Sequence, residues 1–390
     1  MFFSISKEHK PNFSHFYQLG CFKISTDAGW KELKQDNHCV LYKGYADDNK
    51  LDVLMKTIID QTEPQLLGNF CVLDFDTDTQ TLQIKTDRYR SFPMYASSGN
   101  EVTNLSRLDY TVWTDSLIEI NADFSINETK FDVIGNIDTS PLSLEEALIK
   151  IDQRLVIKTK NFVNHNDLPI KVFLSGGVDS LLVYSYLQRF TDNYELVRGN
   201  YFDYDKFWLM NSGTIRNKFW GYSQFHHWID PCVLTSGAPG DEFMLRSPTT
   251  TNLFAQFYRK SIEQLLESDQ WKTCLHYEYF HAPKNYKIFQ EQLIDTSWDT
   301  PEKLMYNLCN IIVNDWQHWH LGNTITWTPL RDLEIFKILL RLSINDALGQ
   351  IMNSAVSCKL IEQNKPGLIG LISDQKNSGN YMKNLADFLF

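Results

Sequence analysis

Residues 171–189 constrain the fold more than any other stretch of this chain, because they follow a continuous strand–loop–helix pattern. An apolar strand at 171–174 runs into Ser-Gly-Gly-Val-Asp-Ser at 175–180, and an apolar helix follows from Leu181 to Arg189. This pattern is the unit from which doubly wound parallel sheets are built. We therefore expect an α/β fold with a parallel sheet in this part of the chain.

The loop between this strand and this helix has the composition of an anion site. The adjacent Gly176 and Gly177 let the backbone turn tightly and bring N–H groups close to an anion. The N-terminus of the helix adds further N–H groups and the positive end of its dipole. Ser175 and Ser180 supply hydroxyl donors, and a carboxylate at Asp179 suits phosphates that arrive with Mg²⁺. The lysine of a Walker A motif is absent from this loop.

A second turn, rich in glycine and proline, lies further along the chain at 236–242. It follows an apolar strand that begins at Val233, and it ends in two carboxylates, Asp241 and Glu242. Taken alone, such a turn is consistent with an ordinary surface loop. It becomes informative beside Asp179, because two carboxylates can share one Mg²⁺ with phosphate oxygens.

Together, the two loops resemble the nucleotide site of the N-type ATP pyrophosphatases, the PP-loop superfamily of asparagine synthetase, β-lactam synthetase, GMP synthetase and argininosuccinate synthase. Residues 175–180 are similar to the PP-loop, and residues 236–242 to the S-G-x-G-x-D-E element of asparagine and β-lactam synthetases. These enzymes cleave ATP between the α- and β-phosphates and activate a substrate as its adenylate. The resemblance implies that Asp179 and Asp241 hold Mg²⁺. The residues implied to contact ATP are Leu174, Ser175, Gly176, Gly177, Asp179, Ser180, Ser236 and Gly237.

Two C-terminal segments extend the resemblance. Residues 326–332 look like a distorted version of the R-x-P-F-x-D segment of this family, and residues 373–376 lie where the family has its R-x-K lysine. In the family, that lysine stabilises charge as the adenylate forms and collapses. The resemblance makes Lys376 the catalytic candidate, with Lys359 and Lys365 as alternatives.

A polar stretch around 135–141, rich in helix- and strand-breaking residues, predicts a linker. Before it, short apolar runs separated by turn-forming residues predict a β-rich region. After it, Ser143 and Glu146 form a capping-box pattern that predicts the start of a helix. We expect two domains, at 1–138 and 139–390, the second with a parallel, doubly wound sheet.

The N-terminal region is similar to class II glutamine amidotransferase domains, which have an α+β, Ntn-hydrolase-like fold. The similarity covers residues 67–74, 86–89 and 93–95. A working glutaminase of this kind exposes a cysteine as residue 1 of its mature chain, whereas position 2 here is Phe2. Lys43 replaces the asparagine of the family's oxyanion Asn-Gly pair. We therefore expect a scaffold without glutaminase activity, as in β-lactam synthetases.

Another departure concerns the proton of the attacking nucleophile. Ala238 stands where asparagine synthetases have an acidic residue and β-lactam synthetases have a tyrosine, and alanine transfers no proton. A different base is then required, and Glu242 and Glu278 are both candidates. The aromatic-rich stretch at 201–220 forms either core or the wall of a substrate pocket.

Composition limits the partners of the chain. A formal net charge of −11 argues against nucleic acid, because affinity for phosphate backbones needs clustered lysine and arginine. The N-terminus has neither a long apolar stretch nor a basic segment, so neither a signal peptide nor a membrane span is expected. Seven scattered cysteines without a CxxC pair predict reduced thiols and a cytoplasmic location. A homodimer is a possible assembly.

These observations lead to one hypothesis and two alternatives. The hypothesis is an AMP-forming amide ligase of asparagine-synthetase type, which uses Mg²⁺ and ATP. A substrate carboxylate attacks the α-phosphate, pyrophosphate leaves, and ammonia or a substrate amine displaces AMP, while Lys376 offsets negative charge. The alternatives are a PP-loop enzyme that adenylates another small molecule and a catalytically retired protein that binds nucleotide without turnover.

Overall fold

The structure of the chain is a computed structural model. It describes residues 3–10, 13, 15–61, 66–88, 94–97, 101–103, 111–113, 116–131, 134–138, 140–174, 177–197, 231–237, 240–246, 300, 302–303, 305–306, 309 and 324–372. Several predicted residues lie outside these ranges: Ser175, Gly176, Ala238, Glu278, Lys376 and the aromatic-rich stretch at 201–220.

The N-terminal region contains two antiparallel sheets of six strands each. Its strands are β1 (Phe3–Ser6), β2 (His15–Leu19), β3 (Phe22–Thr26), β4 (Lys31–Gln35), β5 (His38–Ala46), β6 (Gly68–Asp76), β7 (Thr81–Thr86), β8 (Met94–Ser97), β9 (Glu101–Thr103), β10 (Thr111–Trp113), β11 (Ser116–Ile120) and β12 (Ile126–Lys130). The strand order is β10-β8-β9-β1-β3-β2 in one sheet and β12-β11-β7-β6-β5-β4 in the other. A helix, α1 (Leu51–Asp60), follows β5.

The alternation of side chains along β5 and β6 explains how this region builds two cores. Leu41 pairs with Leu73, and both belong to a core that contains residues of both sheets, including Phe22. The neighbouring pair, Tyr42 and Val72, points to the opposite face and packs in the core under α1. Successive residues of a strand face opposite sides of a sheet, so the alternating apolar residues satisfy both cores.

The C-terminal region begins with a long helix, α2 (Leu144–His165). Its start confirms the predicted capping box, because Glu146 N donates to Ser143 Oγ at 3.2 Å and Ser143 N donates to Glu146 Oε2 at 2.9 Å. These two bonds satisfy backbone N–H groups that have no acceptor within the helix.

In the described part of the C-terminal region, four parallel strands form a sheet in the order β14-β13-β15-β16. The strands are β13 (Ile170–Phe173), β14 (Tyr194–Val197), β15 (Cys232–Thr235) and β16 (Thr324–Trp327). The helices that follow α2 in the described ranges are α3 (Val178–Leu187), α4 (Gly240–Phe243), α5 (Leu333–Leu340), α6 (Ile344–Asn353) and α7 (Ala355–Asn364), followed by a 3-10 helix (Pro366–Leu371). The chain therefore runs strand–loop–helix from β13 into α3, with a parallel sheet around it.

The strand order creates a switch point between β13 and β15. From β13 the chain moves outward to β14, and from β15 it moves in the opposite direction to β16. In open α/β sheets, ligands bind at such a point, beyond the carboxyl ends of the strands. The two predicted loops leave the sheet at this place, after Phe173 and after Thr235.

The N- and C-terminal regions are joined by polar contacts. Thr328 N donates to Tyr45 Oη at 3.1 Å. Lys158 of α2 is buried, and its Nζ lies 3.1 Å from Asp47 Oδ2 and 3.0 Å from Asp332 Oδ2. A single ammonium group thus connects a carboxylate of each region. Within the described residues, none of the helices combines the length and apolar character needed to cross a membrane.

Candidate functional site

The two predicted loops meet at the carboxyl ends of β13 and β15. Gly237 lies against the first turn of α3, where a Cβ on this residue would be 2.2 Å from Asp179 C and from Ser180 N. Real Cβ atoms do not approach backbone atoms this closely, so the contact requires glycine. The structure therefore brings together two sequence elements that are far apart in the chain.

Gly240 continues this close packing. A Cβ at Gly240 would lie 2.5 Å from Asp179 Cγ and 2.7 Å from Leu330 Cδ1. Gly240 N also donates to Gly237 O at 2.6 Å, which closes the turn before α4. The carboxyl group of Asp179 is thus enclosed between its own helix and the second loop.

Arg246 bridges the two aspartates that were predicted to share a metal. Its Nη1 lies 2.5 Å from Asp179 Oδ2 and 3.3 Å from Asp241 Oδ1. Its backbone N donates to Asp241 O at 2.7 Å, and its Nε donates to Ser354 Oγ at 2.7 Å. The side chain of Asp241 is 60% exposed, whereas that of Asp179 is only 11% exposed. The pair has an inner and an outer carboxylate, held by one cation.

Sequence reasoning did not identify Arg246. The sequence contains one signal, because Arg246 is the first basic residue after Asp241 and Glu242. The short helix α4 ends at Phe243, and the chain then turns back through Leu245, which has a left-handed φ of 55°. This turn, which is not evident from residue spacing, returns the arginine to the carboxylates.

The electrostatics of the inner carboxylate reflect its enclosure. Burial raises the pKa of Asp179 above its usual range, the guanidinium of Arg246 counters part of this shift, and the carboxylate of Asp241 adds to it. Asp179 Oδ1 is buried without a hydrogen-bond partner. A buried carboxylate oxygen without a partner is costly, and it is therefore a suitable ligand atom for a cation.

The other predicted loop residues have different environments. Ser180 Oγ donates to Gly177 O at 2.8 Å, a contact inside the first turn of α3. Gly177 is the N-cap of α3 and has no side chain to accept the N–H groups of that turn, an arrangement that suits anion binding. Ser236 is buried and Leu174 is half-buried. Glu242, one candidate base, is half-buried in α4.

The segment at 326–332 contacts both this site and the N-terminal region, where Thr328 N donates to Tyr45 Oη. Leu330 contacts Gly240, and the guanidinium of Arg331 lies over the ring of Phe243, 5.8 Å from its centroid. Asp332 begins α5, accepting from Glu334 N and Ile335 N. The segment thus acts as a support for α4. The alternative lysines, Lys359 and Lys365, are exposed, on α7 and just after it.

The position of the expected oxyanion pair is occupied by a buried ion pair. Lys43 Nζ donates to Asp27 Oδ2 at 3.0 Å and to Ala28 O at 2.6 Å. Burial lowers the pKa of Lys43, and the carboxylate of Asp27 opposes this shift. Lys43 and Gly44 line a cavity of about 420 Å³ together with Trp30 and Phe162, among others. The cavity lies at the amino ends of β15 and β16, opposite the two loops.

The two loops offer two carboxylates, Asp179 and Asp241, as donors for a Mg²⁺ ion. Among the described residues, no group of three or more histidine, cysteine or acidic side chains is placed to hold a metal. Mg²⁺ is commonly bound by one or two carboxylates plus substrate phosphates, and the Asp179–Asp241 pair fits that pattern.

No family model matches the sequence, and no curated protein is significantly similar to it.

Proposed function

We propose that this chain is an AMP-forming amide ligase of asparagine-synthetase type, with a PP-loop, doubly wound α/β domain at 139–390. The N-terminal domain, 1–138, would be an Ntn-hydrolase-like scaffold without glutaminase activity. One observation supports this most strongly: the Gly237 loop packs on Asp179 and Ser180 at the switch point of a parallel sheet. A substrate with phosphates placed at the N-terminus of α3 would contact both loops at once.

Each part of the site has a role in this proposal. The N–H groups at the start of α3 bind the phosphates of ATP, and the close fit of Gly237 keeps the second loop within reach of the same phosphates. Asp179 and Asp241 would hold Mg²⁺, which would supply positive charge to neutralise the phosphates. A substrate carboxylate then attacks the α-phosphate, pyrophosphate leaves, and ammonia or an amine displaces AMP. Lys376 and Glu242 are the proposed catalytic residues for charge and proton handling.

The buried side chain of Lys43 supports the proposed absence of glutaminase activity. An oxyanion site needs donors aimed at a developing charge, but the ammonium of Lys43 is already bound to Asp27 and to Ala28 O. Free ammonia or a substrate amine, rather than glutamine, is therefore the proposed nitrogen donor. The location proposed for this chemistry is the cytoplasm.

A second candidate function is a retired protein that binds nucleotide without turnover. It is favoured by Arg246, which already neutralises the two carboxylates that would hold the metal. An enzyme that adenylates another small molecule remains the third proposal. It shares the site and differs only in the substrate.

The test is release of pyrophosphate and AMP from Mg·ATP with a panel of carboxylates, each with ammonium, glutamine or no nitrogen donor. We expect both products with ammonium but not with glutamine. Asp179→Asn should lower the rate by about 100-fold or more, because metal charge stabilisation contributes several kcal/mol. Asp192→Asn is the matched control, since Asp192 is an exposed aspartate beyond the end of α3.

The outcomes separate the candidates. Binding of ATP without pyrophosphate under any condition would favour the retired protein. Pyrophosphate release that Asp179→Asn leaves unchanged would contradict the ligase proposal and its metal site together. Products with an acceptor that has no carboxylate would favour the third proposal.

A further inference from the structure

We propose that Arg246 is a built-in counter-cation for the Asp179–Asp241 pair, and that Mg²⁺ enters the site by displacing its guanidinium. The inference concerns the metal dependence of the proposed ligase site, and it rests on the proposed metal role of the two aspartates. It does not require that ATP be cleaved. A metal-free form and a metal-bound form would then differ in the position of one side chain.

The position of Arg246 is the position of a bridging cation. Its Nη1 contacts one oxygen of each carboxylate, at 2.5 Å from Asp179 Oδ2 and 3.3 Å from Asp241 Oδ1. A Mg²⁺ ion held by Asp179 and Asp241 would take the place of this bridging cation between the two carboxylates. The guanidinium and the metal cannot occupy this space together, so binding of one excludes the other.

The arginine leaves part of the inner carboxylate unsatisfied. The side chain of Asp179 is 11% exposed, and its Oδ1 has no hydrogen-bond partner, although its Oδ2 is paired with Arg246. A divalent ion with several coordination positions can satisfy a carboxylate that a single N–H group does not. The incomplete pairing makes the exchange favourable when metal is present.

Two left-handed residues support the side chain in this place. Leu245, the residue directly before Arg246, has φ 55°, and Ser354, which accepts from Arg246 Nε, has φ 54°. A left-handed backbone costs a residue other than glycine roughly 1–2 kcal/mol, and such strain is concentrated at functional and switching sites. Leu245 precedes Arg246 in the chain, and Ser354, the C-cap of α6, accepts from its Nε.

The removal of Arg246 has opposite consequences with and without metal. Without metal, Arg246→Gln leaves the buried carboxylate of Asp179 and the neighbouring carboxylate of Asp241 without a cation, which destabilises the fold. With metal, the same variant presents a pair from which no cation has to be displaced. We therefore expect a lower melting temperature in EDTA and a larger rise on addition of Mg²⁺ than in the wild type.

The experiment measures binding of Mn²⁺ alone, without nucleotide, by the loss of the free-ion EPR signal. Arg246→Gln should bind Mn²⁺ about tenfold more tightly than the wild type, a typical coupling between competing ligands. Arg246→Lys keeps a cation between the carboxylates, and should bind Mn²⁺ with an intermediate affinity even if the glutamine variant folds poorly. Arg341→Gln is the matched control, because Arg341 Nη2 pairs with Asp138 Oδ2 at 2.8 Å away from the site.

Equal Mn²⁺ affinity in the wild type and the Arg246 variants, or no detectable binding in any of them, would overturn the exchange. In either case Arg246 would be a permanent part of the site and not a cation that a metal displaces. Pyrophosphate release is measured separately on the same proteins. Tighter Mn²⁺ binding in Arg246→Gln without pyrophosphate from any protein would retain the exchange and remove the ligase function.

Discussion

Gly237 shows how a single residue decides whether the two loops form one site. Because Gly237 has no side chain, its backbone can pack directly against the backbone of Asp179 and Ser180, which lies where a Cβ would be. The sequence predicts that both loops bind the same ligand, and in the structure the two loops lie in contact. The contact itself could not be predicted, because it depends on how β13 and β15 align in the sheet.

Substitution of Gly237 by alanine should separate the two loops. The added Cβ would be 2.2 Å from two backbone atoms, and overpacking of this kind costs roughly 1–3 kcal/mol. We expect weaker ATP binding, measured by calorimetry, together with lower stability to urea. The second loop would no longer be held against Asp179 and Ser180, which are proposed to contact the phosphates of ATP.

The matched control for this substitution is Gly349→Ala in α6. Its Cβ would meet Ala355 Cβ at 3.7 Å, which is an ordinary contact. Alanine favours a helix over glycine by about 0.8–1.0 kcal/mol, so this variant should be slightly more stable and should bind ATP normally. If both glycine variants bound ATP equally well, the packing of the two loops would not matter for binding.

Asp332 links the residue scale to the element scale, because it begins α5 and also pairs with α2. Its Oδ1 accepts from two backbone N–H groups of α5, and its Oδ2 accepts from Arg154 Nε at 2.8 Å and Lys158 Nζ at 3.0 Å. Burial alone would raise the pKa of Asp332, but Lys158 and Arg154 outweigh burial and hold this pKa below its usual range.

The sign of this shift defines the pH dependence. A carboxyl group with a lowered folded pKa stabilises the protein above its unfolded pKa of about 3.9, and this contribution is lost as the pH falls through the folded value. Asp332→Asn keeps a good N-cap but removes the charge, which should cost about 3–5 kcal/mol at pH 7 because Lys158 remains buried. The difference from the wild type should shrink below pH 4 in urea unfolding.

A difference that stayed constant down to pH 3 would mean that the charge of Asp332 contributes nothing. Asp192→Asn serves as the control, because it removes an exposed charge and should change the unfolding free energy by less than about 0.5 kcal/mol.

The elements themselves were predictable to different degrees. Local patterns sufficed for the start of α2 at Ser143 and for the strand–loop–helix around Asp179, although β13 and α3 begin slightly earlier than predicted. A Gly177 N-cap sets the start of α3 before the first leucine. The strand order and the return of Arg246 depend on contacts between distant residues, which periodicity does not encode.

At the scale of the whole molecule, Lys158 connects the two regions. It lies in α2 and is 4% exposed, between Asp47 of the N-terminal region and Asp332 of the C-terminal region. Burial by itself would lower the pKa of Lys158, but these two carboxylates outweigh burial and raise it. The sequence did not predict this connection, because a lysine in an amphipathic helix normally faces solvent.

Lys158→Met should therefore weaken the junction as well as the fold. The methylene chain is preserved, but two buried carboxylates lose their cation, and breaking a buried pair costs about 3–5 kcal/mol. Lys171→Met is the matched control, since Lys171 pairs with Glu195, whose side chain is 64% exposed, and exposed pairs contribute only about 0–1 kcal/mol.

The measurement is urea unfolding, followed by limited proteolysis of the stretch around 131–143. If the regions depend on Lys158, Lys158→Met is cleaved there at urea concentrations where Lys171→Met is intact. Identical cleavage of the two variants would show that the apolar contacts between the regions suffice without the ammonium bridge.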